Sequence, residues 1–138
     1  MSTKKEELTA EPTKTRWFID PNWYQQNNRS LYFLAQGYLC PKCAKQLKAK
    51  GKKTSLNKLL SNIKDCCSHT PGYITEQSPI MESVFRLFLA NGNQPLDLDE
   101  LGKQLSERRG GDIYRTSAET LSRLIKSDRY YGLRQIQG

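Results

Sequence analysis

Two short clusters constrain this chain more than any other feature: Cys40-Pro-Lys-Cys43 and Cys66-Cys67-Ser-His69. Together they hold every cysteine and the single histidine of the 138 residues, with 22 residues between Cys43 and Cys66. A Cys-x-x-Cys spacing on a short loop lets both sulfurs reach one ion at about 2.3 Å, and a tetrahedral site then needs a second pair of donors. Cys66 and His69 repeat the two-residue gap. The expectation is a structural zinc site of Cys40, Cys43, Cys66 and His69, in which Cys67 either replaces Cys66 or lies on the apolar stripe that includes Ile63. The only histidine standing beside the second cysteine pair makes coincidence a poor explanation.

Other chemistry fits the same residues less well. A thioredoxin-like dithiol, the mark of a thiol oxidoreductase, needs a strand before Cys40 and a helix after Cys43, whereas residues 31–39 read as helical. Unliganded core thiols are the second alternative, but Cys43 sits among lysines, which argues against burial. A catalytic zinc keeps an open position, and four protein ligands leave none. Zinc is expected instead to fold the N-terminal half, which is too rich in lysine to build a core of its own.

Charge is concentrated in that half. The chain carries a formal +8, and residues 40–65 alone carry net +7, from eight lysines (Lys42, Lys45, Lys48, Lys50, Lys52, Lys53, Lys58, Lys64) against Asp65. Residues 1–39, 66–77 and 78–138 contribute +1, −1 and +1. A field so localised attracts polyanions and releases their condensed counterions, the sequence-independent part of nucleic-acid affinity. A solvated loop kept soluble by its lysines is the plainer alternative. No run approaches the roughly 18 uninterrupted apolar residues of a membrane span, and Met1-Ser-Thr-Lys-Lys-Glu-Glu lacks the apolar stretch of a secretory signal. A cytoplasmic protein away from any membrane is expected, where thiols stay reduced.

Local signals divide the chain into a disordered tail over 1–15, a zinc-binding basic module over 16–73 and a second unit over 78–138. Asp20-Pro21 reads as a cap and first helical proline for a short helix with Trp23 and Tyr24, and Ser30 opens another that stops at Gly37. Thr54-Ser55 caps a segment whose Leu56, Leu59, Leu60 and Ile63 share one face and which ends at or just before Cys66. Pro71-Gly72 marks the boundary. Ser78-Pro79 then begins a helix with Ile80, Met81, Val84, Phe85, Leu87 and Phe88 as its apolar face, ended by Asn91-Gly92-Asn93. Pro95-Leu96 is a short extended link. Asp97 with Glu100, and Thr116 with Glu119, have capping-box spacing ahead of two further helices, the first carrying Leu98, Leu101 and Leu105 to a stop at Gly110-Gly111, the second carrying Leu121, Leu124 and Ile125. Tyr130 to Ile136 favours extended structure.

A mainly α fold follows, with the zinc module preceding a C-terminal winged helix-turn-helix. The stretch Asn91-Gly-Asn-Gln-Pro-Leu96 and the Asp-aromatic step that follows Leu121 to Tyr131 make residues 78–136 resemble the HARE-HTH winged-helix family of the bacterial RNA polymerase delta subunit and of several chromatin and restriction proteins. Only ten residues follow Asp128, few for a full wing hairpin. The N-terminal half resembles zinc ribbons and zinc knuckles. The winged-helix resemblance implies a third helix that enters a major groove, with Arg115, Ser122, Arg123, Lys126 and Arg129 as candidate contacts and Arg134 in the wing. Many members of that family contact proteins instead, and eight acidic side chains nearly neutralise the unit.

The expected function is that of a non-enzymatic nucleic-acid-binding, transcription-associated protein, with DNA ahead of RNA as partner. Lys45, Lys48, Lys50, Lys52, Lys53 and Lys58 would contact phosphate beside Arg115, Arg123, Lys126 and Arg129. The competing function is an adaptor that docks on RNA polymerase or the ribosome through Trp17, Trp23 and the winged helix.

Overall fold

Asp20, Ser30, Ser55, Asp97 and Ser117 each stand just before a helix, and each side-chain oxygen accepts a backbone N–H of the first turn. Such caps satisfy donors that a helix start otherwise leaves open. They frame a computed structural model that describes residues 15–50, 54–111 and 115–136, the Lys50 side chain excepted. The order is β1 (Arg16–Ile19), α1 (Pro21–Gln26), α2 (Leu31–Gln36), α3 (Pro41–Lys50), α4 (Leu56–Asp65), a 3-10 turn (Cys67–His69), α5 (Ile80–Ala90), β2 (Leu96–Asp97), α6 (Leu98–Arg108), α7 (Ala118–Lys126) and β3 (Leu133–Gln135). The protein is mainly helical with one small three-stranded sheet. No helix of the described residues is long and apolar enough to cross a membrane.

Several boundaries differ from the sequence expectation. The cap of α7 is Ser117, not Thr116; Thr116 is buried, and its carbonyl lies 2.3 Å from where a Cβ at position 102 would stand. Gly102 is therefore what lets the turn before α7 press against α6. The Asp97 cap forms, but the Glu100 carboxylate accepts the Gln104 side-chain amide at 2.7 Å. Ser78 does not cap α5. Its hydroxyl accepts the Thr75 N–H at 3.2 Å instead. The Cys-x-x-Cys motif, expected on a short loop, opens the helix α3, in which Cys43 is buried and Leu47 half-buried. So little apolar surface turns inward that no helical stripe was visible. The expected tail falls almost wholly on residues 1–14, outside the described residues.

The core is organised around α5, whose Val84, Phe85, Phe88 and Leu89 are fully buried. A helix apolar on nearly every side must be covered on nearly every side. Here α4, the 3-10 turn, α6 and β1 cover it. Apolar residues from both sides of Pro71-Gly72 join one core, from Ile19 and Ile63 to Leu121 and Ile125.

Strand order is β2-β1-β3, with β1 antiparallel to both neighbours. Trp17 pairs with Leu96 on one side and Gln135 on the other; Phe18 faces Arg134 and Ile19 faces Leu133. The strand nearest the N-terminus therefore occupies the centre of a sheet whose edges lie far along the chain. Asn93, at a φ of 62°, lengthens that pairing: its side-chain amide accepts the Ile19 N–H and donates to the Ile19 carbonyl, both at 2.8 Å. Two further contacts fasten the C-terminal segment to the N-terminal helices. The Tyr24 hydroxyl donates to the Tyr131 carbonyl, and Arg29 donates to the Tyr130 carbonyl, each at 2.7 Å. The Arg29 guanidinium also lies 4.3 Å from the centre of the Tyr130 ring, so this cation is spent on structure.

The segment read as a boundary is wrapped around a side chain. Arg109, only 1% exposed, donates to the carbonyls of Thr75, Glu76 and Ser78 and to the Ser83 hydroxyl.

Candidate metal centre

Three local structures bring the thiols together. After α2 the half-buried Tyr38 and Leu39 lead Cys40 to the start of α3, and its carbonyl accepts the Ala44 N–H at 2.9 Å. The apolar stripe of α4 buries Leu59 and Ile63 and carries Cys66 to the helix end, where Cys67 opens the 3-10 turn. That turn is tied on three sides: the Ser68 hydroxyl donates to the Lys64 carbonyl, the Thr70 hydroxyl to the Cys67 carbonyl, and Arg108 to the Ser68 carbonyl.

The Sγ atoms of Cys40, Cys43 and Cys66 all lie within 4.8 Å of one another. Cys40 and Cys66 are separated by 3.8 Å between sulfurs. Arms of about 2.3 Å give a tetrahedron with edges of about 3.8 Å, so this pair already stands at the spacing of two thiolates on one zinc-sized ion. A disulfide would bring the sulfurs to about 2.05 Å, and all four cysteines are free. Cys67 stands beside this group on the buried side, where its sulfur accepts the Cys40 N–H at 3.1 Å. The four-cysteine cluster is compatible with a metal site, since thiolates are the soft donors that such an ion selects.

Electrostatics favour a cation there. The Cys43 N–H draws the Cys40 thiol down to about 7, helped by the neighbouring thiols and opposed by burial. Burial pushes the Cys43 and Cys67 thiols up, and contact with the other thiols adds to the rise at Cys43. One thiolate is thus easily formed and the next ones are not. A bound cation removes that conflict, because it favours every deprotonated ligand at once.

His69 stands apart from this cluster. It is exposed at the end of the 3-10 turn, whereas Cys67 and Ser68 are buried. The burial of Cys43 also departs from expectation: the helix sends Lys42 and Lys45 to solvent while Cys43 faces in. The signal for Cys67 was present in the spacing, since Leu59, Ile63 and Cys67 recur every four residues along one inward face.

The basic residues fall in two sets. Lys45 and Lys48 are exposed on α3 and Lys58 on α4; Lys52, Lys53 and the Lys50 side chain lie outside the described residues. Arg115, Arg123, Lys126 and Arg129 are exposed before, on and after α7. Among the described residues the one ion pair joins Glu82 to Arg86 at 2.7 Å, so neither set is neutralised by salt bridges there. Trp17 is only 5% exposed and Trp23 is half-buried. No protein-family model, no curated protein and no solved structure matches this chain.

Proposed function

We propose that this is a non-enzymatic, zinc-stabilised nucleic-acid-binding protein of transcription, in which Cys40, Cys43, Cys66 and Cys67 hold one structural zinc. The observation that carries the proposal is the convergence of four thiols at the foot of a lysine-bearing helix, with Cys40 and Cys66 sulfurs 3.8 Å apart. Helix α3 buries little beyond Cys43, so an ion at its first turn supplies the restraint that apolar packing does not. Zinc thereby gives the exposed Lys45, Lys48 and Lys58 a fixed arrangement toward phosphate. A dithiol oxidoreductase is disfavoured, because the chain reaches Cys40 from α2 and a turn instead of from a strand.

Residues 78–136 then serve as a winged helix, the HARE-HTH-like unit. The order helix, short strand, two helices and strand agrees with that architecture, and β1 pairs with the last strand. Helix α7 is the element for a DNA major groove, with Arg123 and Lys126 exposed on it and Arg129 just beyond.

Two measurements test these assignments. Native mass spectrometry is expected to find one zinc per chain in the wild type and in His69→Ala, and none in Cys67→Ser; loss in His69→Ala with retention in Cys67→Ser would restore histidine as the fourth ligand. Affinity for duplex DNA is expected to fall steeply with salt, as release of several counterions requires. A flat salt dependence, with pull-down partners that survive nuclease, would make the protein an adaptor.

A further inference from the structure

We propose that the groove shared by β1, β3 and the end of α7 binds unpaired nucleotides of a nucleic-acid strand, a proposal that rests on the nucleic-acid function above and names the form of ligand. The groove encloses about 670 Å³ and is lined by three aromatic residues, Trp17, Phe18 and Trp23, and three cations, Lys126, Arg129 and Arg134. A cationic groove interleaved with aromatic rings is the combination that holds single strands: the cations follow phosphates while the rings stack on bases. In a duplex the bases stack on one another, so only unpaired ones could use these rings.

Charge points the same way. Asp20 and Asp128 also line the groove, but their oxygens are engaged by backbone N–H groups of Asn22, Tyr130, Tyr131 and Leu133. The three cations form no ion pair among the described residues. An independent sign is the Trp17 indole. The residue is 5% exposed, and its Nε1 is buried without an acceptor among the described residues. Buried donors without acceptors are rare in folded proteins, so this one asks for a partner that the described residues do not supply. Phe18 and Trp23 are only half-buried, which leaves ring area for contact.

Both tryptophans of the chain line this groove, so tryptophan emission, excited selectively over the seven tyrosines, reports on it. Titration of the full chain with a short oligothymidylate is expected to quench that emission saturably. Trp23→Ala is expected to weaken binding about tenfold, as loss of a stacking platform does, with duplex affinity unchanged within about twofold. The double variant Arg129→Gln, Arg134→Gln changes only exposed side chains and is expected to weaken oligothymidylate binding to a similar degree, so the test stands even where Trp23→Ala fails to fold. Unquenched emission while duplex DNA still binds with a steep salt dependence would sink the groove and spare the nucleic-acid function. No binding of either form would sink both. Equal quenching by thymidine monophosphate, or by oligoglutamate, would overturn the strand in favour of a free nucleotide or an acidic peptide.

Discussion

Helix α3 and the helices of residues 78–136 differ in what they bury. In the later region α5 buries six side chains and is covered on several sides, so apolar burial fixes its place. In the earlier region α3 buries one cysteine and half-buries one leucine, and its other described side chains, lysine, glutamine, alanine and proline, are exposed. The contrast teaches where information resides: for α5 in a pattern repeated along the helix, for α3 in a cysteine cluster compatible with a metal site. A lysine-bearing helix that stays exposed cannot bury enough hydrocarbon to anchor itself, and the proposed zinc would supply that anchor with few residues.

The sharpest way to break the comparison is to remove the metal. Structural zinc contributes on the order of 10 kcal/mol in small domains. Chelation is therefore expected to collapse hydrogen-exchange protection across α3 and the 3-10 turn while amides of α5 stay slow. Equal loss in both regions would erase the distinction. The converse test is Phe85→Ala, which empties a fully buried site touching Tyr38 and Tyr131 and is expected to cost about 3–5 kcal/mol in denaturant melts, with zinc stoichiometry retained. A smaller effect sharpens how the regions are joined. Arg109→Met leaves the carbonyls of Thr75, Glu76 and Ser78 without their guanidinium donor and is expected to cost about 2–3 kcal/mol. Limited proteolysis should then cut first within residues 75–78, and an intact segment there would show that Arg109 is not what holds it.

Much of the helical frame was legible because its signals are local. Asp20, Ser30, Ser55 and Asp97 cap where their sequence neighbours indicate, and the apolar faces of α4 to α7 repeat at helical spacing. Where a local signal was ambiguous, packing chose. Thr116 has the capping-box spacing, yet Ser117 caps α7 while the Thr116 backbone lies against Gly102. The same holds at the metal centre. Cysteine spacing predicts a site, yet where Cys66, Cys67 and His69 stand depends on how α4 ends, and its inward stripe buries Cys67 while His69 is exposed.

By itself the sequence determined the helices other than α3, the two cysteine clusters and the concentration of lysine between them, since caps, periodicity and charge are properties of neighbouring residues. Only the tertiary structure decided that β1 enters between β2 and β3, that Asn93 pairs with Ile19 and that Arg109 gathers residues 75–78. Those contacts join residues far apart along the chain. A four-residue strand carries no mark of its partners, and they are chosen by the burial and hydrogen bonding that the whole chain must satisfy at once.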